Sequence, residues 1–309
     1  MNLYMAGSTF SGLNEWLQDN GYDKLMSYLN DKKAIETWCQ YADKTNQFKS
    51  KLFIDSGAFT AWTKGVEIDT DEYIKWLNEH SKYLALFAQI DSIPGNIRTG
   101  ATQEQVKEAA RKSWENFLYM YPRVEGPERL LYTFHVGEPY EYLKNAMEWT
   151  DDKGQHIQYI ALGGMVGKSV PIRKHFLDTC FDIIHKSSNP NVKVHAFGMT
   201  SLDLLSKYPI TSADSTSWIM TSVTGSIMSQ YGNISVSKET QNKADNIANP
   251  NYKSARKQVV LDHINKCGFK LEDLQEDYKQ REKFNIAYLQ RWAENYVLKQ
   301  PKTKTFKLF

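Results

Sequence analysis

Three aspartates, Asp55, Asp91 and Asp214, each close a short apolar run, in KLFIDSG, ALFAQIDS and ITSADS. Carboxylates drawn from separate runs suit chemistry at a sugar anomeric carbon. One attacks the carbon, a second shuttles the leaving group's proton, and two such groups suffice for a double displacement that retains configuration. The competing reading is local: each aspartate caps the helix that follows its strand. Three at equivalent places favour a shared site. Phe59 stands four residues after Asp55, and Phe197 closes VKVHAFG. Facing one pocket, the two rings would sandwich a planar base rotated out of its helix, whereas singly each is ordinary core. Gly163 and Gly164 end QYIALGG, where the missing Cβ atoms either let a ligand reach backbone N–H groups or simply allow a tight turn. His135, in FHVGEP, is placed to donate to a ligand carbonyl or to serve as a structural histidine. His195 lies two residues before Phe197 and shares its strand face, with its role open.

The elements that carry these residues repeat. Apolar runs begin at Asn2, Lys51, Ala85, Leu130, Gln158, Val192 and Ile210, and a less regular eighth, GSIMSQYGNISVS, begins at Gly225. Helical patterns fill the gaps, such as TDEYIKWLNEHSKYL, opened by Thr70 with Glu72 in its first turn. Another is TQEQVKEAARKSWENFLYMY, opened by Thr102 with Gln105 three residues on. Near-continuous apolar strands alternating with helices predict an α/β fold with a parallel sheet covered on both faces. Eight units predict a (β/α)8 TIM barrel, whose site collects at the carboxyl ends of the strands, where Asp55, Asp91, His135, Gly163, Phe197 and Asp214 all fall. From Lys238 the chain turns polar and rich in lysine and asparagine before a final helical stretch. Residues 1–237 therefore read as the barrel domain and 238–309 as a basic, mainly helical C-terminal extension packed on it. The closing KQPKTKTFKLF is expected to be loosely held.

Composition narrows the function classes. The chain has 309 residues, 41% hydrophobic and 24% charged, enough for one large or two ordinary domains and incompatible with disorder or a disulfide framework. Its net charge of +2 makes it no polycation. The charge is uneven, however: 23 basic against 27 acidic residues precede Lys238, and 15 against 9 follow, a tail of +6. Cys39, Cys180 and Cys267 form no CxxC or Cys/His spacing, which argues against structural zinc and against export and makes the cytoplasm the expected compartment. A basic leader and an 18-residue apolar stretch are both missing from the sequence, so no membrane is expected. The stretch GGMVGKS has three residues between its glycines where a phosphate loop has four, and no nucleotide hydrolysis is expected from it.

Taken in order, IDSGAF (Ile54 to Phe59), QID (Gln89 to Asp91), FHVG (Phe134 to Gly137), ALGGMVG (Ala161 to Gly167), HAFG (His195 to Gly198) and ADS (Ala213 to Ser215) resemble the strand-end motifs of the tRNA-guanine transglycosylase superfamily. The likeness is closest to its phage branch, the DpdA-like 7-deazaguanine DNA transglycosylases, and spans about the first three quarters of the chain. It implies exchange of guanine in DNA for a free 7-deazaguanine base such as preQ0, in the host cytoplasm for a phage-encoded chain. By that resemblance, Asp214 takes the place of the nucleophile that attacks C1′ of deoxyguanosine, and Asp55 is the general acid/base. Asp91 would accept from the base's N1–H and exocyclic amine. His135, where the family commonly has glutamine, would contact the O6 edge together with the backbone at Gly163 and Gly164, and Phe59 and Phe197 would stack on the base. Three departures stand out. Ala58 replaces the second glycine of DSGGF and crowds the pocket by one methyl group. The family's C-terminal Cys/His zinc cluster has no counterpart, so no metal is implied. STSWIM follows Asp214 in place of a proline- and arginine-bearing segment, which sets the chain apart from readers of a tRNA anticodon loop.

Base exchange trades one N-glycosidic bond for a similar one and needs no ATP, redox cofactor or obligatory metal. Unstacking the target costs a few kcal/mol, which aromatic stacking and edge hydrogen bonds offset. Phosphates would fall to lysines and arginines, with the +6 tail the obvious supplier, unless it is only a solvated surface. Two alternatives remain: a transglycosylase acting on tRNA, and a barrel hydrolase or lyase of a small metabolite.

Overall fold

A computed structural model describes residues 1–298 apart from Ile97, Thr200 and Lys253, and of Ser254 only the backbone. Eight strands run parallel and close on themselves: β1 (Asn2–Ala6), β2 (Lys24–Ser27), β3 (Leu52–Asp55), β4 (Leu84–Ala88), β5 (Leu130–His135), β6 (Tyr159–Gly163), β7 (Lys193–Ala196) and β8 (Ser212–Ser215). Closure comes from β8 pairing with β1, which sets Asp214 beside Tyr4. The helices between them are α1 (Leu13–Asp19), α2 (Lys32–Thr45), α3 (Ala58–Lys64), α4 (Thr70–Glu79), α5 (Gln103–Met120), α6 (Tyr140–Glu148), α7 (Val170–Lys186), α8 (Leu202–Leu205) and α9 (Ser217–Val223). The chain is a (β/α)8 barrel with a helical C-terminal part. At α5 the expected capping box forms, Thr102 and Gln105 each bonding the other's backbone N–H. At α4 the cap is Asp69, one residue earlier than expected, its carboxylate accepting from Glu72 N.

Period-two alternation sorts the strand residues onto two faces. Tyr4, Phe53, Leu86, Leu131 and Tyr159 fill the barrel, while Leu52, Ile54, Phe87 and Tyr132 join the core beneath the helices. Burying each such side chain contributes about 1.5–3 kcal/mol, and the inner set forms a solid floor. Further along the same face, Asp55 two residues after Phe53 and His135 and Gly163 four after Leu131 and Tyr159, the residues rise above that floor, and Phe197 and Asp214 stand with them at the carboxyl ends of β7 and β8.

The eighth barrel strand is not the one expected from Gly225. It is β2, the tetrapeptide KLMS, whose first residue is a buried lysine. The stretch after Gly225 forms an antiparallel hairpin outside the barrel, β9 (Ser226–Ser229) and β10 (Gly232–Ser235). With α10 (Ser254–Lys266), α11 (Leu271–Glu276) and α12 (Tyr278–Glu294) it builds a second core around Ile227, Ile234, Val260, Ile264, Leu274 and Phe284. Helix α12 belongs to both cores, because Ile286, Leu289 and Ala293 pack into the main one and Gln290 Nε2 donates to Leu3 O at 2.9 Å. Part of the tail's positive charge is internal: Arg281 is buried and donates to Ser222 O and Leu274 O. The segment from Lys299 onward, expected to be loosely held, lies outside the described residues.

Asn285 ties the two cores together. Fully buried, it accepts from Met228 N at 2.8 Å and donates to Trp218 O and Ser226 O. Asn285→Ala leaves the Met228 N–H buried and unpaired, and a loss of about 1–3 kcal/mol is expected in the free energy from urea unfolding. An unchanged urea midpoint would show that the two cores hold together without it.

Candidate active site

Asp55 sits at the carboxyl end of β3 with Oδ2 accepting from Gly57 N at 3.2 Å. Gly57 has φ 85°, and a Cβ there would lie 2.7 Å from both Ser27 Oγ and Leu29 Cβ, so the glycine of IDSGAF is demanded by the turn. Burial raises the Asp55 pKa to about 7, and the charges of Asp91 and Asp214 push in the same direction. The Gly57 hydrogen bond and the His135 charge oppose the rise without cancelling it. Asp55 therefore feels the charge of both other aspartates.

Capping does not account for them. Helix α3 opens at Gly57, α5 at Thr102 and α9 at Thr216, and none of those N-cap positions is an aspartate of the set.

Asp91 lies three residues beyond β4, and α5 pins both of its neighbours: Asn116 Nδ2 donates to Ile90 O at 2.8 Å, and Ser92 N donates to Ser113 Oγ at 2.8 Å. Its Oδ2 is 3.1 Å from His135 Nε2. On its other side, His135 Nδ1 meets Glu138 Oε1 at 3.1 Å, and the His135 backbone N–H donates to Glu138 Oε2. Burial alone would lower the imidazole pKa, but the carboxylates of Asp91 and Glu138 overcome it and raise it to about 10. His135 is thus an imidazolium at neutral pH, with both N–H groups donated to carboxylates. Both ring nitrogens are taken by carboxylates, so the ring holds Asp91 and offers no N–H to the O6 edge that the resemblance implies. Glu138, three residues on in FHVGEP, is a partner that strand-end spacing does not reveal.

Gly163 is hydrogen-bond neighbour to His135 in the β5–β6 ladder. A Cβ at Gly163 would stand 2.7 Å from His135 Cδ2, and one at Gly164 3.1 Å from Val136 N. The two glycines leave room for the His135 ring and for the backbone of the turn after it. Gly163→Ala is expected to displace His135 from Asp91 and lower the pH at which the His135 ring titrates by NMR, with little change in melting temperature. An unaltered His135 titration would show that the ring keeps its place despite the added methyl group.

Asp214 is 7% exposed, and its Oδ1 accepts from Gly198 N at 2.7 Å and lies 3.3 Å from His195 Nε2. Oδ2 has no hydrogen-bond partner among the described residues. Phe197, half-buried, packs edge-on to His195 at 4.6 Å and tilted against Phe53 at 5.6 Å. Phe59 is 63% exposed on α3, its ring 5.7 Å from Trp62. A cleft of about 490 Å3 opens beside Asp91, walled by Ala58, Trp62, Ile90, Ile93 and Asn116.

A scan against protein-family models finds no match to this chain, and a search of curated proteins finds none either. Among the described residues no group of three or more His, Cys, Asp or Glu side chains is arranged to hold a metal ion. No helix among them is long and apolar enough to cross a membrane. What the arrangement offers chemically is a carboxylate with one free oxygen, a carboxyl group poised to exchange a proton near neutrality, and a third carboxylate clamped by an imidazolium.

Proposed function

We propose that the protein is a guanine transglycosylase that exchanges guanine in DNA for a 7-deazaguanine base through a covalent aspartyl-deoxyribose intermediate. What carries this reading is geometry: Asp55 and Asp214 stand at the carboxyl ends of β3 and β8 in one closed barrel, with Asp91 held by His135 at 3.1 Å, and burial together with the charges of Asp91 and Asp214 raises the Asp55 pKa to about 7. A double displacement at C1′ needs such a group, acid in one half-reaction and base in the other.

In the first half, Asp214 Oδ2 supplies the electron pair that bonds to C1′ while the C1′–N9 bond breaks. Its electrons pass to N9 of guanine, which takes a proton from Asp55. In the second half the incoming base gives its N9 proton to Asp55 and attacks C1′, and the C1′–Oδ2 pair returns to the carboxylate. Asp91, steadied by His135, keeps Oδ1 for the donor edge of the purine, N1–H and the exocyclic amine. Phe197 offers one apolar face beside the nucleophile. Phosphate contacts fall to surface cations, among which Lys279 and Lys283 lie over the Phe10 ring in the loop after β1.

Labelled 7-deazaguanine offered with DNA and with tRNA side by side tests the proposal. Incorporation into DNA is the expected result; incorporation into tRNA alone would move the activity to the other nucleic acid. Incorporation into neither would overturn the reading in favour of a small-molecule barrel enzyme.

A further inference from the structure

Behind the nucleophile runs a line of buried polar groups with no part in the chemistry above. His195 Nε2 is 3.3 Å from Asp214 Oδ1, His195 Nδ1 is 2.7 Å from Ser212 Oγ, and Ser212 Oγ is 2.8 Å from the Tyr159 hydroxyl. His195 and Ser212 are wholly buried, and Tyr159 belongs to the barrel floor. Tyr4 and Phe53 pack edge-on against the imidazole and hold its plane. We propose that His195 is a positioning residue for Asp214, the last link of a directed chain from Tyr159 through Ser212 that fixes Oδ1 as the oxygen never used for attack.

The direction of the chain follows from donor chemistry. Burial lowers the His195 pKa, so the ring is neutral and has one N–H and one bare nitrogen. A carboxylate only accepts, so the N–H is on Nε2 and Nδ1 must accept from the Ser212 hydroxyl. Ser212 Oγ in turn accepts from the Tyr159 O–H, whose pKa burial pushes up to about 12 and which stays protonated. Every dipole points its positive end toward Asp214. The line ends on a phenol inside the barrel floor, so it carries no proton to solvent; its effect is orientation and charge stabilisation.

The two halves of the reaction feel this unequally. During attack the carboxylate loses charge, and donors on Oδ1 give that step no help. During release the charge returns to the carboxylate, and donors already in place stabilise it, as preorganised donors do for a developing oxyanion. His195 therefore speeds breakdown of the covalent intermediate and not its formation.

This inference rests on the transglycosylase reading, and the test separates the two. With DNA and an acceptor base, His195→Leu is expected to form the adduct at a near-normal rate and resolve it about 10²-fold more slowly, as loss of one such donor does. Adduct then accumulates on a denaturing gel. His195→Gln, which keeps a side-chain N–H, restores turnover in part, and Ser212→Ala gives the same accumulation more weakly without touching the imidazole. Adduct resolving at the wild-type rate in His195→Leu and Ser212→Ala overturns the proposal, as does equal slowing of both halves, the mark of a merely structural residue. Absence of adduct in the wild-type protein fails the transglycosylase reading instead. The chain is then judged from the 15N shifts of labelled His195: protonation at Nε2, disturbed by Ser212→Ala, supports it, and protonation at Nδ1 overturns it.

Discussion

Asp214→Asn is expected to abolish the covalent protein–DNA adduct and to lower base exchange by a factor on the order of 10⁶, the scale seen when a catalytic nucleophile is removed. The amide keeps the volume of the side chain, and its carbonyl oxygen can still accept from Gly198 N and His195, so the barrel has no reason to rearrange. What disappears is the anionic Oδ2. Denaturing electrophoresis after incubation with DNA reads the result directly. An undiminished adduct would place the nucleophile elsewhere, and Asp55, the other carboxylate of the mouth, would be the next residue to replace.

Asp55→Asn should slow exchange by about 10²–10⁴, the usual cost of losing general acid/base help. It should also erase a pH dependence of opposite sign in the two half-reactions. With the Asp55 pKa raised to about 7, the protonated form that the proposed mechanism needs to release guanine is depleted as pH rises through 7. The ionised form needed to deprotonate the incoming base is depleted as pH falls below it. Adduct formation therefore declines toward alkaline pH and adduct resolution toward acid pH, and the variant shows neither limb.

Stability follows the same titration. The folded-state pKa of Asp55 lies above its ordinary value of 3.8, so the folded protein holds a proton that the unfolded chain releases. That contribution is whole below about pH 4 and is lost as pH rises through 7. Asp55→Asn is accordingly expected to melt higher than wild type at pH 8 and about equally at pH 4. Matching melting temperatures at pH 8 would mean that the Asp55 carboxylate is not burdened by its neighbours.

Seven of the eight barrel strands were legible because their apolar runs are covered on both faces and end in a turn residue or a polar side chain. The seventh run, ITSADS, shows the limit of that signal, since it was recognised by its end more than by its apolar content. β2 escaped because only Leu25 and Met26 of KLMS are apolar and its buried first position is filled by Lys24, whose ammonium donates to Gly7 O, whereas the lysine that opens β7 is exposed. The hairpin at Gly225 competed for its place because SIMS and GNIS carry strand patterning of their own, and nothing local says that such a strand pairs outside the barrel. Within the site, the positions of Asp55 and Asp214 followed from strand-end spacing. The partners of those residues did not. That Ser212 lies between His195 and Tyr159 depends on how β6, β7 and β8 line up side by side, a register that belongs to the closed sheet, and that Glu138 turns back onto His135 depends on the turn after β5.

Helix α12 has a consequence for the order in which the molecule is made. Leu3 and Gln290, which it brings together, stand 287 residues apart, and the pairing of Tyr4 with Asp214 joins the first strand to the last. A nascent polypeptide emerging from the ribosome can assemble β1 to β7 stepwise, yet it cannot seal the cylinder until β8 has appeared or cover that seam until α12 has followed. Folding so dominated by distant contacts is slow. Partial products of translation that stop before β8 would therefore carry Asp55 and Asp91 without Asp214, and those that stop before α12 would carry all three with the seam uncovered.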